Sequence, residues 1–296
     1  MKKQYKADAA LVFVAMTWGV SFILTKLLIE EIGVFNFLSQ RFLIAAFIAG
    51  LFFRKKFKYI TPKMFFTGMF IGFILFAGYA FQTMGLLYTS ISNSAFITGF
   101  SVVLVPIIST VFFKSKPSVS ALVGAFMAIV GLAFLTLGNG CGFSSINLGD
   151  FLTFLAAISF AMHIISVGIF AKKGNAVILA ITQIFGVGFF SGITALIFEE
   201  PAIPSTAADW ASMLFLSIAC TALAFIAQNE AQKYTTASHT ALIYSGEPVF
   251  ASIFEFLIYG TILSGQSLLG ACLILSGVII SELNPFRKRR SGHVSA

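Results

Sequence analysis

A chain of 296 residues with 58% hydrophobic and only 10% charged residues cannot cover itself with a water-compatible surface; ordinary globular chains carry roughly 45–50% and about 25%. The net charge of +8 does not point to nucleic acid, because Lys and Arg fall in short clusters between long apolar runs and form no continuous basic face. Composition thus excludes a soluble domain and predicts an integral membrane protein, its flanks solvated by acyl chains.

In chain order, ten apolar segments are long enough to cross about 30 Å of hydrocarbon: 8–29, 34–53, 63–87, 91–113, 118–137, 149–171, 176–198, 210–232, 238–259 and 264–283. The basic start before the first run resembles a secretory signal, but the run from Ala9 to Ile29 is too long for an ordinary signal core and more such runs follow. Backbone groups in lipid must be satisfied within the segment, so the spans are predicted as helices. With the N-terminus inside, every Lys and Arg of the 19, apart from Lys26 and Arg41, falls on one side. The opposite loops carry Glu30, Glu31, Asp150, Glu199, Glu200 and Asp209. Ten spans with both termini cytoplasmic is the arrangement that satisfies the positive-inside rule. The expected localisation is the plasma or inner membrane.

Cys141, Cys220 and Cys272 do not form a disulfide framework, and no Cys/His spacing matches a metal site. No cofactor is expected. The loops are too short to house a soluble catalytic domain, so function is expected among the helices.

The chain repeats. At an offset of 146, Gln82, Tyr88, Thr89, Ser92 and Ala95 fall on Gln228, Tyr234, Thr235, Ser238 and Ala241, and Gly124 and Gly131 on Gly270 and Gly277. At 142, Asp8 falls on Asp150, and Pro106 falls on Pro248. Five spans per repeat is an odd number, so the second copy must insert upside down. The predicted fold is an all-α membrane protein of ten helices in two inverted five-helix repeats, 8–138 and 148–284. Inverted repeats are a feature of secondary transporters, with the substrate near midplane between the halves.

Several stretches carry a resemblance to a known family: Trp18-Gly19, Arg41-Phe42-Leu43, the run from Tyr88-Thr89 through Asn93-Ser94-Ala95-Phe96 to Pro106, and Glu247-Pro248-Val249-Phe250. Over residues 8–283 the chain resembles the drug/metabolite transporter superfamily, in its ten-helix EamA-type branch. The resemblance implies export of amino acids or other small metabolites. It also contributes to the expectation that helices one, three, four, six, eight and nine line the cavity. One departure is Gly260-Thr261, where the family usually has Gly-Glu; the role of that Glu does not carry over.

Ionisable groups inside a span are costly and need a partner or a purpose. Glu247, followed by Pro248, lies near midplane in the ninth span. It reads either as a group that couples protons or contacts substrate, or as a residue pinning its helix. Judged by the prolines, Pro106 and Pro248, which are expected to break their helices, its repeat mate is Val105. Lys26, Arg41 and Glu255 sit at similar depth and read as an ion pair between helices, or as a cationic handle for a substrate carboxylate. His163 is either a proton relay or one half of an interhelical hydrogen bond. Gln228, Tyr234 and His239 are placed for an inner gate, matching Gln82, Tyr88 and Asn93 outside; the alternative is helix glue. Trp18, Tyr79, Phe96 and Tyr244 read as an aromatic cavity wall or as packing.

The expected partners are the bilayer, a small-molecule substrate and, as coupling ion, protons. Gly-x-x-x-x-Gly-Lys is absent, so ATP-driven transport within this chain is excluded. A channel or scramblase competes poorly because the buried charges are single rather than ringed around a pore. An intramembrane enzyme would rest on His163 and Glu247, which lie on different repeats.

Overall fold

The computed structural model describes residues 2–113, 117–138, 147–260 and 264–283, without the side chains of Lys2, Ser92, Phe113, Glu255, Ile258, Tyr259, Glu282, Leu283 and residues 135–138. Cys141, Thr261 and the basic C-terminal run lie outside the described residues.

The described chain is helical: α1 Lys2–Ile32, α2 Val34–Phe52, α3 Pro62–Gly85, α4 Ile91–Gly99, α5 Ser101–Phe113, α6 Val119–Gly138, α7 Leu148–Phe170, α8 Ala176–Phe198, α9 Ala207–Ser217, α10 Ala224–Ala231, α11 Ala237–Tyr244, α12 Glu247–Tyr259 and α13 Gly265–Leu283. A 3₁₀ turn, Arg54–Tyr59, follows α2, and a π turn, Ile218–Leu223, joins α9 to α10. Among the described residues, seven helical stretches are long and apolar enough to cross a membrane, counting α4 with α5 and α9 with α10 as single passes. The exterior is apolar: Phe47 is 72% and Phe112 75% exposed, a surface that lipid solvates and water does not.

Helix starts are capped by side chains, which satisfy N–H groups that have no partner in the first turn. Thr61 caps α3 ahead of Pro62, and Asn147 with Asp150 forms a capping box on α7. Thr206 and Asp209 do the same on α9. The start of α2 is capped from another helix: Glu199, just past α8, accepts from Phe35 N at 3.0 and 3.1 Å and from Asn36 N at 2.8 Å. Gly33 turns the chain there with φ 82, and a Cβ on it would lie 2.9 Å from Glu199 Oε2. Glu199→Ala is expected to cost about 1 kcal/mol, the usual worth of a cap, with Glu199→Gln in between, read by thermal unfolding in detergent.

The two halves match element by element. α8 opens at Ala176, 142 residues after α2 at Val34, while α11, α12 and α13 open 146 residues after α4, α5 and α6. The four-residue difference is the extra length of α8, 23 residues against 19 for α2. The repeats are inverted. Gly192 faces Ser39 and Gly188 faces Leu43, so α2 and α8 run antiparallel. Gly124 meets Gly277 and Gly131 meets Gly270, so α6 and α13 do as well. Each of these pairs is one element packed on its own repeat mate. Other principal contacts pair up under the same exchange: α3 on α7 with α1 on α10, α1 on α12 with α5 on α7, and α3 on α8 with α2 on α9 and the π turn.

The fourth and ninth predicted spans are each two helices, but the prolines do not mark the interruptions. The breaks fall at Phe100 and Gly246, 146 residues apart. Both are tight turns: Phe100 N donates to Ile97 O and Gly246 N to Ile243 O, each at 3.1 Å. Pro248 lies in the first turn of α12, where its missing N–H forfeits nothing. Pro106 lies inside α5, which continues through it. The repeat mate of Glu247 is therefore Ser101, not Val105.

Candidate functional site

A cavity lies between the repeats, bordered by α1, α2, α3, α4, the start of α5, α7, α10, α11 and the start of α12. It begins at the two helix breaks, with Gly99, Ser101, Tyr244 and Glu247, and runs toward the acidic end past Thr25, Arg41 and Leu86. Of the residues singled out in the sequence, it brings together Trp18, Arg41, Tyr79, Gln82, His163, Gln228, Tyr244, Glu247 and Pro248.

Arg41 is 2% exposed. Its Nε donates to Thr221 Oγ1 at 2.8 Å, and Nη2 lies 3.5 Å from Cys220 O. The guanidinium carbon is 5.5 Å from the ring centroids of both Phe42 and Tyr79 and 5.8 Å from that of Phe37. Thr221 and Cys220 belong to the π turn, where the helical ladder is interrupted. The Cys220 carbonyl thereby serves Trp18 Nε1, which donates to it at 2.9 Å. Thr221 Oγ1 in turn donates to Leu216 O, five residues back. π turns cluster at functional sites because they release backbone groups in this way. Among the described residues no carboxylate lies within ion-pair distance of Arg41. The expected partner Glu255 has its side chain outside the described residues, and Lys26 is half-buried on α1 away from the cavity lining.

Glu247 opens α12, directly after the break, at the helix end that favours negative charge. Gly19 of α1 packs on this turn: a Cβ there would lie 2.9 Å from Glu247 O and 2.8 Å from Ala251 N. The Trp18-Gly19 pair thus has two tasks. The glycine lets α1 close on the break, and Trp18 stacks edge-on against Tyr244 with centroids 4.8 Å apart. Tyr244 OH and Gln228 Oε1 are buried without a hydrogen-bond partner among the described residues, a state that costs about 1–3 kcal/mol per group when left unanswered. Both border the cavity, where a polar ligand can answer them.

The other polar wall residues are held by neighbours. His163 Nε2 is 2.8 Å from Gln183 Oε1, and its ring stands edge-on to Phe225. Gln82 Nε2 donates to Thr98 Oγ1 at 3.0 Å. Gln228 Nε2 donates to Gln232 Oε1 at 3.1 Å, and Gln232 Nε2 to Ile164 O at 2.9 Å.

Tyr88 and Tyr234 are exposed and off the cavity wall, and three other candidates also stand elsewhere. Phe96 turns into a cluster with Leu132, Val249, Ala271 and Ile274, because that face of α4 packs toward α6 and α12. Asn93 sits in the first turn of α4, off the cavity wall. His239 sits in the first turn of α11 at the basic end, with Nε2 3.2 Å from Asp8 Oδ1. Sequence reasoning missed Gln183, Thr221, Phe160 and Phe225. Gln183 had a signal, an amide in an otherwise apolar helix; the aromatics and the π turn had none.

The profile of the EamA-like transporter family matches residues 5–137 and again 147–283. The chain belongs to the EamA-like transporter family. An uncharacterized transporter of Archaeoglobus fulgidus is 34% identical over 95% of this chain and 87% of its own. The uncharacterized transporter YetK of Bacillus subtilis is 25% identical over 96% and 88%. A solved crystal structure at 17% identity covers 95% of this chain and 96% of its own with a TM-score of 0.79, which shows the shared fold. The two family matches divide the chain where the repeats divide, between α6 and α7, so this EamA-like transporter carries its cavity at the junction of the two family units.

Proposed function

We propose that the protein is a secondary transporter of the cell membrane that exports a small metabolite, an amino acid or a related compound, by alternating access between its two repeats, 8–138 and 148–284. What supports this is the cavity at the repeat junction, bordered by one buried cation, Arg41, and one carboxylate, Glu247, each from a different repeat. A zwitterion offers a complementary group to each. Inverted repeats around such a site give two equivalent gates, and in this reading Glu247 exchanges a proton with the cavity it borders.

Uptake into proteoliposomes with a panel of amino acids and related metabolites, with and without a pH gradient, tests the reading. Saturable transport of at least one member, steeper with the gradient, is expected; inertness toward zwitterions alongside transport of apolar or purely cationic solutes would overturn the substrate class. In the ten-span topology both termini face the cytoplasm. Reporters fused at Ala296 and inserted at Ser205 are expected on opposite sides, and matching signals would sink the topology.

A further inference from the structure

The two ends of the molecule carry the same corner in two settings. Ser90 caps α4 by accepting from Asn93 N at 3.0 Å, and Thr236 caps α11 by accepting from His239 N at 3.2 Å. These residues are 146 apart, so the corners are repeat mates. The first helix of each repeat brings an aspartate to its corner, Asp150 on α7 and Asp8 on α1. At the acidic end, Asp150 Oδ1 accepts from Thr89 Oγ1 at 2.6 Å, just before the cap. At the basic end, Asp8 Oδ1 lies 3.2 Å from His239 Nε2, three residues beyond the cap. The repeat mate of His239 is Asn93, not Thr89. The two aspartates therefore hold positions four residues apart along their corners, Asp150 before the cap and Asp8 past it.

The difference follows the cavity. It reaches toward the acidic end, where Asp150 has the shallower grip. At the basic end Ala7, Leu11 and Val14 of α1 are buried in one cluster with Ala231 and Ala241, and Asp8 approaches His239 at ion-pair distance, further into its corner than Asp150 reaches in the other. His239 also approaches Ser281 Oγ at 3.5 Å, so this corner joins α1, α11 and α13. In inverted-repeat carriers, equivalent parts exchange environments when the molecule turns. A contact made in only one of two states biases the equilibrium toward that state.

We infer that Asp8 and Asp150 are alternating latches: Asp8 on His239 locks the basic end while Asp150 rests on Thr89, and the opposite state moves Asp150 on to Asn93 and Asp8 back to Thr235. The inference rests on the alternating-access reading above.

The test is labelling by a membrane-impermeant maleimide, on full-length protein with Cys141, Cys220 and Cys272 replaced by Ala. Thr25→Cys reports the cavity from the acidic side, and Ala231→Cys reports the sealed end from the basic side. Asp8→Ala and His239→Ala are each expected to speed labelling at Ala231→Cys about threefold, the shift one interhelical contact supplies, and to slow it at Thr25→Cys. The double variant is expected to match either single one, and the exchanged pair Asp8→His with His239→Asp to restore the parent rates. A fold merely loosened by substitution would not recover on exchange. Asn93→Ala is expected to leave Ala231→Cys labelling at or below the parent rate. If the two probes trade labelling under an imposed pH gradient yet ignore Asp8 and His239, or if the single effects multiply in the double variant, the latch is overturned and the carrier stands. If the probes never trade under any condition or variant, the carrier reading falls with it.

Discussion

Glu247→Gln is expected to insert and fold like the parent while losing the response of transport to a proton gradient. The carboxylate stands in the first turn of α12 and borders the cavity, and Gln reproduces its shape but cannot take up or release a proton. One proton moving down one pH unit supplies about 1.4 kcal/mol, which supports at most about tenfold accumulation of a co-transported or exchanged solute. The parent is expected to approach that ratio in proteoliposomes carrying a one-unit gradient, and Glu247→Gln to stay near unity. Exchange of labelled for unlabelled substrate, which needs no gradient, should continue in the variant. If Glu247→Gln accumulates substrate at the parent ratio, the coupling role is gone. Glu247→Ala adds the structural comparison: a residue that only pins α12 tolerates Gln and is destabilised by Ala.

Much of the fold was legible because lipid imposes a simple condition. Every backbone group in a span must be satisfied within it, so apolar runs of membrane length announce helices. The repeat was legible through a few polar side chains in an apolar background, Gln82 with Gln228 and Thr89 with Thr235. Their 146-residue offset is the one on which α4, α5 and α6 map to α11, α12 and α13. The prolines were the misleading signal. Pro248 helps to start α12, whereas Pro106 is carried within α5, so their spacing tracks neither the breaks nor the mate of Glu247.

The candidate site was legible in its residue types and less so in its arrangement. A helix surrounded partly by lipid and partly by other helices is apolar all round, so periodicity cannot say which face turns inward. Asn93 and Phe96 share α4 with Ala95 and Thr98, yet only the latter two border the cavity. The π turn had no sequence mark, since Ile218–Leu223 contains neither Gly nor Pro. It is fixed by tertiary bonds, Trp18 and Arg41 on the Cys220 carbonyl and Arg41 on Thr221. That arrangement gives the buried cation neutral oxygens and aromatic faces among the described residues.

Gly131→Leu is expected to be among the most damaging single changes outside the cavity. α6 and α13 cross with their backbones nearly touching: a Cβ on Gly131 would lie 2.6 Å from Gly270 O and 2.8 Å from Ile274 Cγ1, and one on Gly277 would lie 2.7 Å from Gly124 O. In lipid such a pair is held by close packing rather than by a hydrophobic force between the helices. A leucine must push the backbones apart and forfeit contacts along the whole crossing. The expected cost is about 1–3 kcal/mol from overpacking, seen as a fall of several degrees in the unfolding temperature in detergent. Gly265→Ala is the control, since a Cβ there meets nothing within 4 Å, and it is expected to be neutral. Gly131→Leu and Gly277→Leu strain the same helix pair from its two pseudo-symmetric points. Once one has spread the crossing, the other has less to lose, so the double variant should fall short of the sum of the singles. Full additivity would mean that the two points yield independently and that α6 and α13 do not behave as one rigid pair joining the repeats.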